Sequence, residues 1–369
     1  MPLTEKQAFP FYLKDGSLDI LIVKTSAIGD VIHTLPALRC LRRKYPDARI
    51  TWLVEEAAAD VLAGHPDLDR VLVCGRKGWI REWRAGRRRS VFRKFRQFVQ
   101  ALRDTRYDLL LDFQGLLKSG IWVALARAKR KIGFGRGMEH AEMSYLFLNE
   151  RMAPVSMDMH AVDRELHLLA AIGVECHEVI FDLALSPADH QAADSLLRSH
   201  GIAAGLPFVA INPMTTWPTK HWLPEKFADL ADRLADAGIK AVFTGGPGDR
   251  EKVEAVGGMM RQQLVNLAGA TSLRSLAAVF SRAQVVVSTD TGPMHVAAAV
   301  NTPVVALFGP TAPWRTGPYG GSHQVVRLGL ACSPCFKKQC QYGTTACMNE
   351  ITAEQIVAAV QVAGQCPIR

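Results

Sequence analysis

The chain has 369 residues, of which 49% are hydrophobic and 21% charged, and its formal net charge is +9. This composition is typical of a globular protein of two or three domains, and it excludes disordered, collagen-like and coiled-coil chains. Eight cysteines are too few for a disulfide-dense scaffold. The start of the chain has no apolar stretch like that of a signal peptide, and prolines interrupt the longest charge-free run, between Asp290 and Arg315. We therefore expect a soluble, cytoplasmic protein.

Predicted strands and helices alternate along the first half of the chain. Apolar runs predict strands at 19–24, 49–55, 70–74, 108–113 and 131–134. Helical patterns lie at 30–45, 90–103, 118–128 and 160–172. This alternation is typical of βαβ units, in which helices cover both faces of a parallel sheet.

The alternation resumes after a helix start at residues 186–189. Strands are predicted at 207–212, 240–244, 265–267, 284–288 and 304–308. Helices are predicted at 187–200, 224–237, 249–263, 272–282, 293–300 and 353–362. The sequence thus predicts two doubly wound α/β units facing a central cleft, with ligand-binding side chains in the loops that follow the strands.

One segment, residues 76–106, holds twelve Lys or Arg and two acidic residues, and so accounts for the whole net charge of +9. Such a segment attracts a polyanion, which could be a nucleic acid, an anionic membrane surface or a phosphorylated substrate. A solvated helix face is the plainer alternative. Aromatic residues interleave with the charges, as in a helix at a membrane interface, although Phe92, Phe95 and Phe98 are also spaced like a core-facing stripe.

The loop after the first strand, residues 24–30, contains Gly29 and ends at Asp30. It has neither the glycine pattern of a dinucleotide site nor that of a P-loop. An aspartate where a helix begins caps that helix and complements its dipole, so Asp30 has a structural explanation as well as a catalytic one.

Three loops of the second half carry groups suited to phosphate or sugar. Residues 212–222 combine hydroxyl groups with Lys220, which suits phosphate oxygens but also fits a proline-rich turn with a surface lysine. Thr291 and Gly292 precede Pro293 at a helix start, which is a ready anion site, and His295 one turn later is either a packed or a functional histidine. The glycine-rich turn 244–249 ends at Asp249, an acid that could meet a ribose hydroxyl.

Four cysteines stand close together near the C-terminus, with the spacing C-x2-C-x4-C-x6-C. The spacing allows zinc or an iron–sulfur cluster, a redox pair within the first two cysteines, or four reduced structural thiols. We expect no required metal. The residues of this alternative site are Cys332, Cys335, Cys340 and Cys347.

These motifs together resemble the ADP-heptose:lipopolysaccharide heptosyltransferases of glycosyltransferase family 9, from about Ile20 to Arg315. The stretches that carry the resemblance are KTSAIGDVIHTLPAL (24–38), TWLVEE (51–56), DFQGLLKS (112–119), HAVDR (160–164), KHW (220–222) and STDTGPMH (288–295). The first four are more similar to the first heptosyltransferase, which acts on Kdo-lipid A, than to the second.

The resemblance implies a GT-B fold of two Rossmann-like domains. The expected parts are an acceptor-binding domain, residues 1–185, a nucleotide-sugar-binding domain, residues 186–350, and a C-terminal helix, residues 351–369, that returns towards the first domain. The implied reaction is inverting transfer of heptose from ADP-heptose, with no required cofactor, to an anionic Kdo-lipid A acceptor at the inner membrane surface. The enzyme would be cytoplasmic and peripheral to that membrane.

The resemblance also implies site residues. Asp30 matches the family's general base, and Lys220 its main contact to the donor diphosphate. The implied donor-binding residues are Thr215, Thr216, Lys220, Asp249, Asp290, Thr291, Gly292 and His295. The basic segment and two further motifs supply the expected acceptor-binding residues, which are Arg81, Arg84, Arg87, Arg88, Arg89, Lys118, His160 and Arg164.

Other functions stay open at this point. A family 9 enzyme could act on a later core sugar, as heptosyltransferases II and III do, or could use another nucleotide sugar. The basic segment alone would suit a nucleic-acid-binding protein, but no helix-turn-helix, RNA-recognition or zinc-finger signature accompanies it. An NAD-dependent oxidoreductase is disfavoured because neither glycine-rich turn fits the dinucleotide fingerprint.

Overall fold

A computed structural model describes residues 18–138 and 142–364. The chain divides into two compact units between Ala184 and Leu185, one residue from the predicted boundary. Within the described residues no helix is both long and apolar enough to cross a membrane.

The first unit is built on a six-stranded sheet in which every described strand pair is parallel. Its strands are β1 (Asp19–Val23), β2 (Arg49–Glu55), β3 (Arg70–Cys74), β4 (Tyr107–Asp112), β5 (Ala128–Phe134) and β6 (Glu150–Met152). Its helices are α1 (Ile28–His33), α2 (Leu35–Lys44), α3 (Glu56–Ala59), α4 (Arg76–Arg84), α5 (Arg88–Arg103), α6 (Leu117–Leu125) and α7 (Ala161–Ala170). The strand order is β3-β2-β1-β4-β5-β6, which is that of a Rossmann fold.

The second unit, again with parallel pairing throughout its described strands, repeats the order as β9-β8-β7-β10-β11-β12. Its strands are β7 (Phe208–Asn212), β8 (Lys240–Phe243), β9 (Val265–Asn266), β10 (Val285–Thr289), β11 (Val304–Leu307) and β12 (Gln324–Val326). Its helices are α8 (Pro187–Ser199), α9 (Pro224–Asp236), α10 (Arg250–Gly257), α11 (Leu273–Phe280), α12 (Gly292–Ala299), α13 (Pro313–Thr316), α14 (Ala346–Asn349) and α15 (Ala353–Gly364). The prediction of two doubly wound units is confirmed.

Burial explains why the central strands read as continuous apolar runs. Ile20–Val23 in β1 and Val285–Val287 in β10 are completely buried, because helices cover both faces of each sheet. The sequence pattern predicted helix boundaries and short edge strands less well. The predicted helix 30–45 is two helices that meet at Thr34, where Pro36 enters the first turn of α2, and strands β6 and β12 were not predicted.

The C-terminal helix α15 packs within the second unit. Its buried residues Ile356 and Val360 belong to the core of the second unit, and the helix packs against α9 and against β10, β11 and β12. The apolar face of α15 is therefore buried within the second unit, and its expected return towards the first domain stays a prediction. Residues 365–369 of the predicted C-terminal segment lie outside the described residues.

Candidate active site

The strand orders locate a candidate site in each unit. The order reverses between β1 and β4 in the first unit and between β7 and β10 in the second. In open parallel sheets, ligands bind at this switch point, outside the carboxyl ends of the strands. The loops after β1 and β4 contain Asp30 and Gln114, and the loops after β7 and β10 lead to Lys220 and Asp290.

Asp30 is the third residue of α1 and is half-buried. Its Oδ2 accepts a hydrogen bond from the amide of Ala27 at 2.8 Å, as the acidic member of a capping box does. Its second oxygen, Oδ1, has no described hydrogen-bond partner. One oxygen thus orients the carboxylate, while the other is available to accept a proton.

Gln114, in the loop after β4, holds the loop that precedes Asp30. Its Oε1 accepts from the amide of Thr25 at 2.9 Å, from the Thr25 hydroxyl at 3.0 Å and from the amide of Ser26 at 2.9 Å. Gln114 belongs to the motif DFQGLLKS, but no role was predicted for it. Its position directly after the strand next to β1 was the signal that could have found it.

Asp112, at the end of β4, is buried, and burial raises the pKa of its carboxyl to about 6. Its Oδ1 accepts from the amides of Gln114 and Gly115, both at 3.1 Å, and these bonds oppose that rise. Asp112 shapes the turn that carries Gln114, and so indirectly positions the loop of Asp30.

A buried ion pair lies under the same loop. Lys24 Nζ is 2.6 Å from Glu165 Oε1 of α7 and donates to the carbonyl of Phe113 at 3.0 Å. Burial opposes the charged form of Lys24, but the attraction of Glu165 and Asp30, together with the hydrogen bond to Glu165, outweighs it, so the pKa of Lys24 is raised. Lys24 is thus committed to the protein interior, where it joins α7 to the start of the loop.

Lys118, an expected acceptor-binding residue, lies at this site, since its Nζ donates to the hydroxyl of Ser26. Burial lowers the pKa of Lys118, and the nearby Arg76 lowers it further against the attraction of Glu55 and Asp30. Arg76 itself pairs with Glu55 at 2.7 Å. The first turn of α4 therefore brings Arg76 to this site. From the sequence, Arg76 was known only as a member of the basic segment.

The remaining expected acceptor residues are in two other places. His160 caps α7, where its Nδ1 accepts from the amide of Val162 at 3.2 Å, and Arg164 donates to the carbonyls of Met157 and Met159. These two side chains support the segment that carries Glu165. Farther along α4, in the turn to α5 and at the start of α5 are exposed arginines, which no described contact joins to the loop of Asp30: Arg81, Arg84, Arg87, Arg88 and Arg89.

The aromatic residues of α4 and α5 divide between a core-facing and a solvent-facing side. Phe98 is buried, with its ring centroid 5.0 Å from that of Trp122 and 5.6 Å from that of Trp79. Trp83 and Phe92 are 52% and 68% exposed. Phe98 thus belongs to the core, as the stripe spacing predicted, while Trp83 and Phe92 share the surface with the arginines, and a membrane interface stays a prediction.

The candidate site of the second unit centres on Lys220. Its Nζ is 2.6 Å from Asp290 Oδ2, which also accepts from the hydroxyl of Thr311 at 2.6 Å. The structure thus brings together two expected donor-binding residues from the loops after β7 and β10. Lys220 also lies 4.6 Å from the ring centroid of Trp217, a favourable distance for a cation–π contact.

The other expected donor residues line the same edge of this sheet. Thr291 precedes α12, whose N-terminus carries no side-chain cap, and His295 is buried in its first turn. Thr215 and Thr216 lie in the loop of Lys220, where Thr215 is half-buried and Thr216 is exposed. Asp249 accepts from the amide of Gly246 at 2.9 Å through Oδ2, which orients its carboxylate beside the glycine-rich turn.

The four clustered cysteines, Cys332, Cys335, Cys340 and Cys347, are free thiols that line one cavity of about 40 Å³ with Thr219 and Pro310. Hydrogen bonds from the amides of Thr345 and Tyr342 lower the pKa of Cys340, whereas burial raises the pKa of Cys347. In the parts of the chain that the structure describes, no three Cys, His, Asp or Glu side chains are grouped as a metal site.

Comparison with known proteins decides the family. The sequence profile of glycosyltransferase family 9 (heptosyltransferase) matches residues 95–346. The chain belongs to this family. It is 36% identical over 332 residues to the lipopolysaccharide heptosyltransferase 1 of Pseudomonas aeruginosa, a match that covers 88% of each chain. This family 9 glycosyltransferase is therefore an enzyme of the kind that the sequence motifs indicated.

Solved structures support the same assignment. The E. coli heptosyltransferase WaaC with ADP superposes with a TM-score of 0.75 at 27% identity, over 94% of this chain and 100% of that one. WaaC with ADP-2-deoxy-2-fluoro heptose gives a TM-score of 0.71 at 28% identity, over 93% and 99%. The predicted GT-B fold of the family 9 enzyme is confirmed.

Proposed function

We propose that this family 9 enzyme transfers L-glycero-D-manno-heptose from ADP-heptose to the Kdo region of the lipopolysaccharide inner core. The observation that carries the proposal is the pair of switch-point sites. One presents a carboxylate oxygen of Asp30 that has no described partner, and the other presents Lys220 beside an uncapped helix N-terminus. The similarity to heptosyltransferase 1 and to WaaC bound to a heptose donor analogue supports this substrate pair.

The chemistry follows from the roles of these groups. A hydroxyl of the acceptor is a poor nucleophile, so Asp30 Oδ1 accepts its proton as the oxygen bonds to the anomeric carbon of the heptose. The bond between that carbon and the diphosphate oxygen breaks, and ADP leaves with the electron pair. A single displacement from the face opposite ADP inverts the anomeric centre.

The leaving diphosphate gains negative charge, which Lys220 and the N-terminus of α12 are placed to stabilise. These protein groups supply the electrostatic stabilisation that a metal ion provides in other transferases. We accordingly propose metal-independent turnover, which should persist when a chelator is present in the assay. Thr215, Thr216, Asp249 and His295 complete the proposed donor site.

The acceptor is proposed to bind the first unit. Lys118 and Arg76 provide cations beside the loop of Asp30, and the exposed arginines of α4 and α5 provide a wider positive surface. Phosphate and carboxylate groups of an inner-core acceptor match this charge. Trp83 and Phe92 on the same helices favour peripheral contact with the anionic inner membrane surface.

The deciding experiment incubates the enzyme with ADP-heptose and a heptose-free Kdo-lipid A, and measures the product by mass spectrometry. We expect one added heptose with the wild type. Asp30→Asn should lower turnover by at least about a hundredfold, since general-base catalysis contributes roughly 10²–10⁴-fold. Its ADP affinity should be unchanged. Full activity of Asp30→Asn would contradict the assignment of the base.

Two other outcomes would redirect the proposal. ADP binding without product would favour a later core sugar as acceptor, as for heptosyltransferases II and III. If ADP does not bind, the donor assignment is wrong, and UDP- and GDP-sugars become the donors to test.

A further inference from the structure

A loop rich in cysteine, residues 332–347, lies against the loop of Lys220. The hydroxyl of Thr219 donates to the carbonyl of Lys337 at 2.7 Å. Thr219 is only 4% exposed, so this hydrogen bond is sheltered from water. It joins the residue before Lys220 to the residue before Lys338, and therefore sets the two lysines side by side on neighbouring loops.

The cysteine-rich loop is attached to the same sheet edge at a second place. The amides of Cys335 and Phe336 donate to the carbonyl of Pro310 at 3.1 and 2.7 Å. Pro310 follows strand β11 and immediately precedes Thr311, whose hydroxyl binds Asp290. Two separate attachments thus hold the backbone of Lys338 beside the proposed donor site.

The charges at this place are not balanced. Lys220 Nζ and Lys338 Nζ lie 4.6 and 5.4 Å from the centroid of the same ring, that of Trp217. Asp290 pairs with Lys220, but no carboxylate in the described parts of the chain lies within ion-pair distance of Lys338. Lys338 is thus a cation beside this site without a described counter-charge, and an anion bound next to Trp217 would supply one.

We infer that Lys338 is a second cation for the donor diphosphate, acting together with Lys220. This inference rests on the proposed function and adds a residue to its donor site. The ligand chemistry is the pyrophosphate group of a nucleoside diphosphate. The exposed ammonium of Lys338 contacts a phosphate oxygen and takes no part in proton transfer, so its contribution is to donor affinity and to the charge of the leaving ADP.

The test is a titration of ADP and of adenosine into the full-length wild type and three variants, Lys338→Gln, Lys337→Gln and Lys338→Arg. An exposed charged contact predicts that Lys338→Gln weakens ADP binding about three- to tenfold and leaves adenosine binding unchanged. Lys338→Arg keeps the charge and should retain most of the ADP affinity. Lys337→Gln is the matched control, because the Lys337 ammonium instead donates to Gln341 Oε1 at 2.8 Å.

Three outcomes would overturn the inference. Wild-type affinity of Lys338→Gln for ADP would show that Lys338 does not contact the diphosphate. An equal loss for adenosine would indicate a general disturbance of the loop. A raised KM for the acceptor with unchanged ADP affinity would place the contact on an acceptor anion. Failure of the wild type to bind ADP would instead refute the proposed function, and this inference with it.

Discussion

At the scale of single residues, Asp112 shows how burial sets a proton affinity. Its pKa is raised to about 6 in the folded protein, mainly by burial, from an ordinary value of 3.8. Between these two values the folded state binds more protons than the unfolded state, so stability falls as the pH rises through this window. Above it, the buried carboxylate lowers the free energy of unfolding.

We expect Asp112→Asn to be more stable than the wild type at pH 8, by roughly 1–3 kcal/mol for a shift of about two pKa units. The difference should vanish near pH 4, where the native Asp112 is protonated. Urea unfolding at both pH values measures it. Asp47→Asn, at an exposed position, is the control and should show no such pH-dependent difference. A difference that is the same at pH 4 and pH 8 would contradict the titration of Asp112.

The buried pair Lys24–Glu165 leads to a second expectation at this scale. Removing one partner leaves a buried charge without its counter-charge, so Glu165→Leu should lower the free energy of unfolding by about 3–5 kcal/mol. The double variant Lys24→Met/Glu165→Leu should lose less than the single variant, because no lone charge remains. Urea unfolding of the set measures the coupling energy.

An exposed pair provides the control for this experiment. Arg43 and Glu178 lie 3.4 Å apart with side chains 49% and 65% exposed. Glu178→Ala should change stability by less than about 1 kcal/mol. The two side chains are energetically independent if the double variant loses as much free energy of unfolding as Lys24→Met and Glu165→Leu lose together.

At the scale of elements, α4 and α5 show why composition predicted a positively charged surface but not which arginines reach the site. The sequence showed that the net charge lies in one segment. The structure separates Arg76, which reaches the loop site through Glu55 and Lys118, from the arginines that project from the helical hairpin. Which arginines lie near the loop of Asp30 depends on where the segment enters and leaves the sheet. The spacing of the arginines along the chain does not specify this.

We expect Arg87→Gln/Arg88→Gln/Arg89→Gln to raise the KM for a Kdo-lipid A acceptor on the order of 100-fold, since three charges near an anionic surface contribute roughly 1 kcal/mol each. ADP affinity should not change. Steady-state kinetics with varied acceptor, together with an ADP titration, measure the two effects. The control is a triple variant at exposed positions of the second unit, Arg198→Gln/Lys240→Gln/Arg250→Gln, which should retain the acceptor KM. A fall in donor affinity instead would show that the acceptor surface has been misassigned.

At the scale of the whole molecule, each unit has its own sheet and its own buried core. A protein of this kind need not unfold in one step, and a ligand stabilises only the unit that binds it. ADP should therefore raise the midpoint of one thermal transition, that of the second unit.

The packing of α15 in the second unit can be tested by asking which of the two thermal transitions a core substitution in α15 lowers. Ile356 is completely buried in the core of the second unit, so Ile356→Ala should cost about 2–5 kcal/mol there. Calorimetry should show a lower midpoint for the ADP-sensitive transition. Leu21→Ala, in the core of the first unit, should lower the other transition. A drop in the ADP-insensitive transition with Ile356→Ala would contradict this placement of Ile356 in the second core.

The residue pattern was enough to predict the α/β class, the two-unit division, the family, and the loops that carry Asp30, Lys220 and Asp290. It could do so because buried parallel strands are continuous apolar runs, and because ligand loops follow them directly. Four features became visible only in the folded chain: Gln114 holds the loop of Asp30, Glu165 pairs with Lys24, α15 packs on the second unit, and Lys338 lies beside Lys220. Each of these is a contact between residues far apart along the chain, which a local pattern of residue types does not specify.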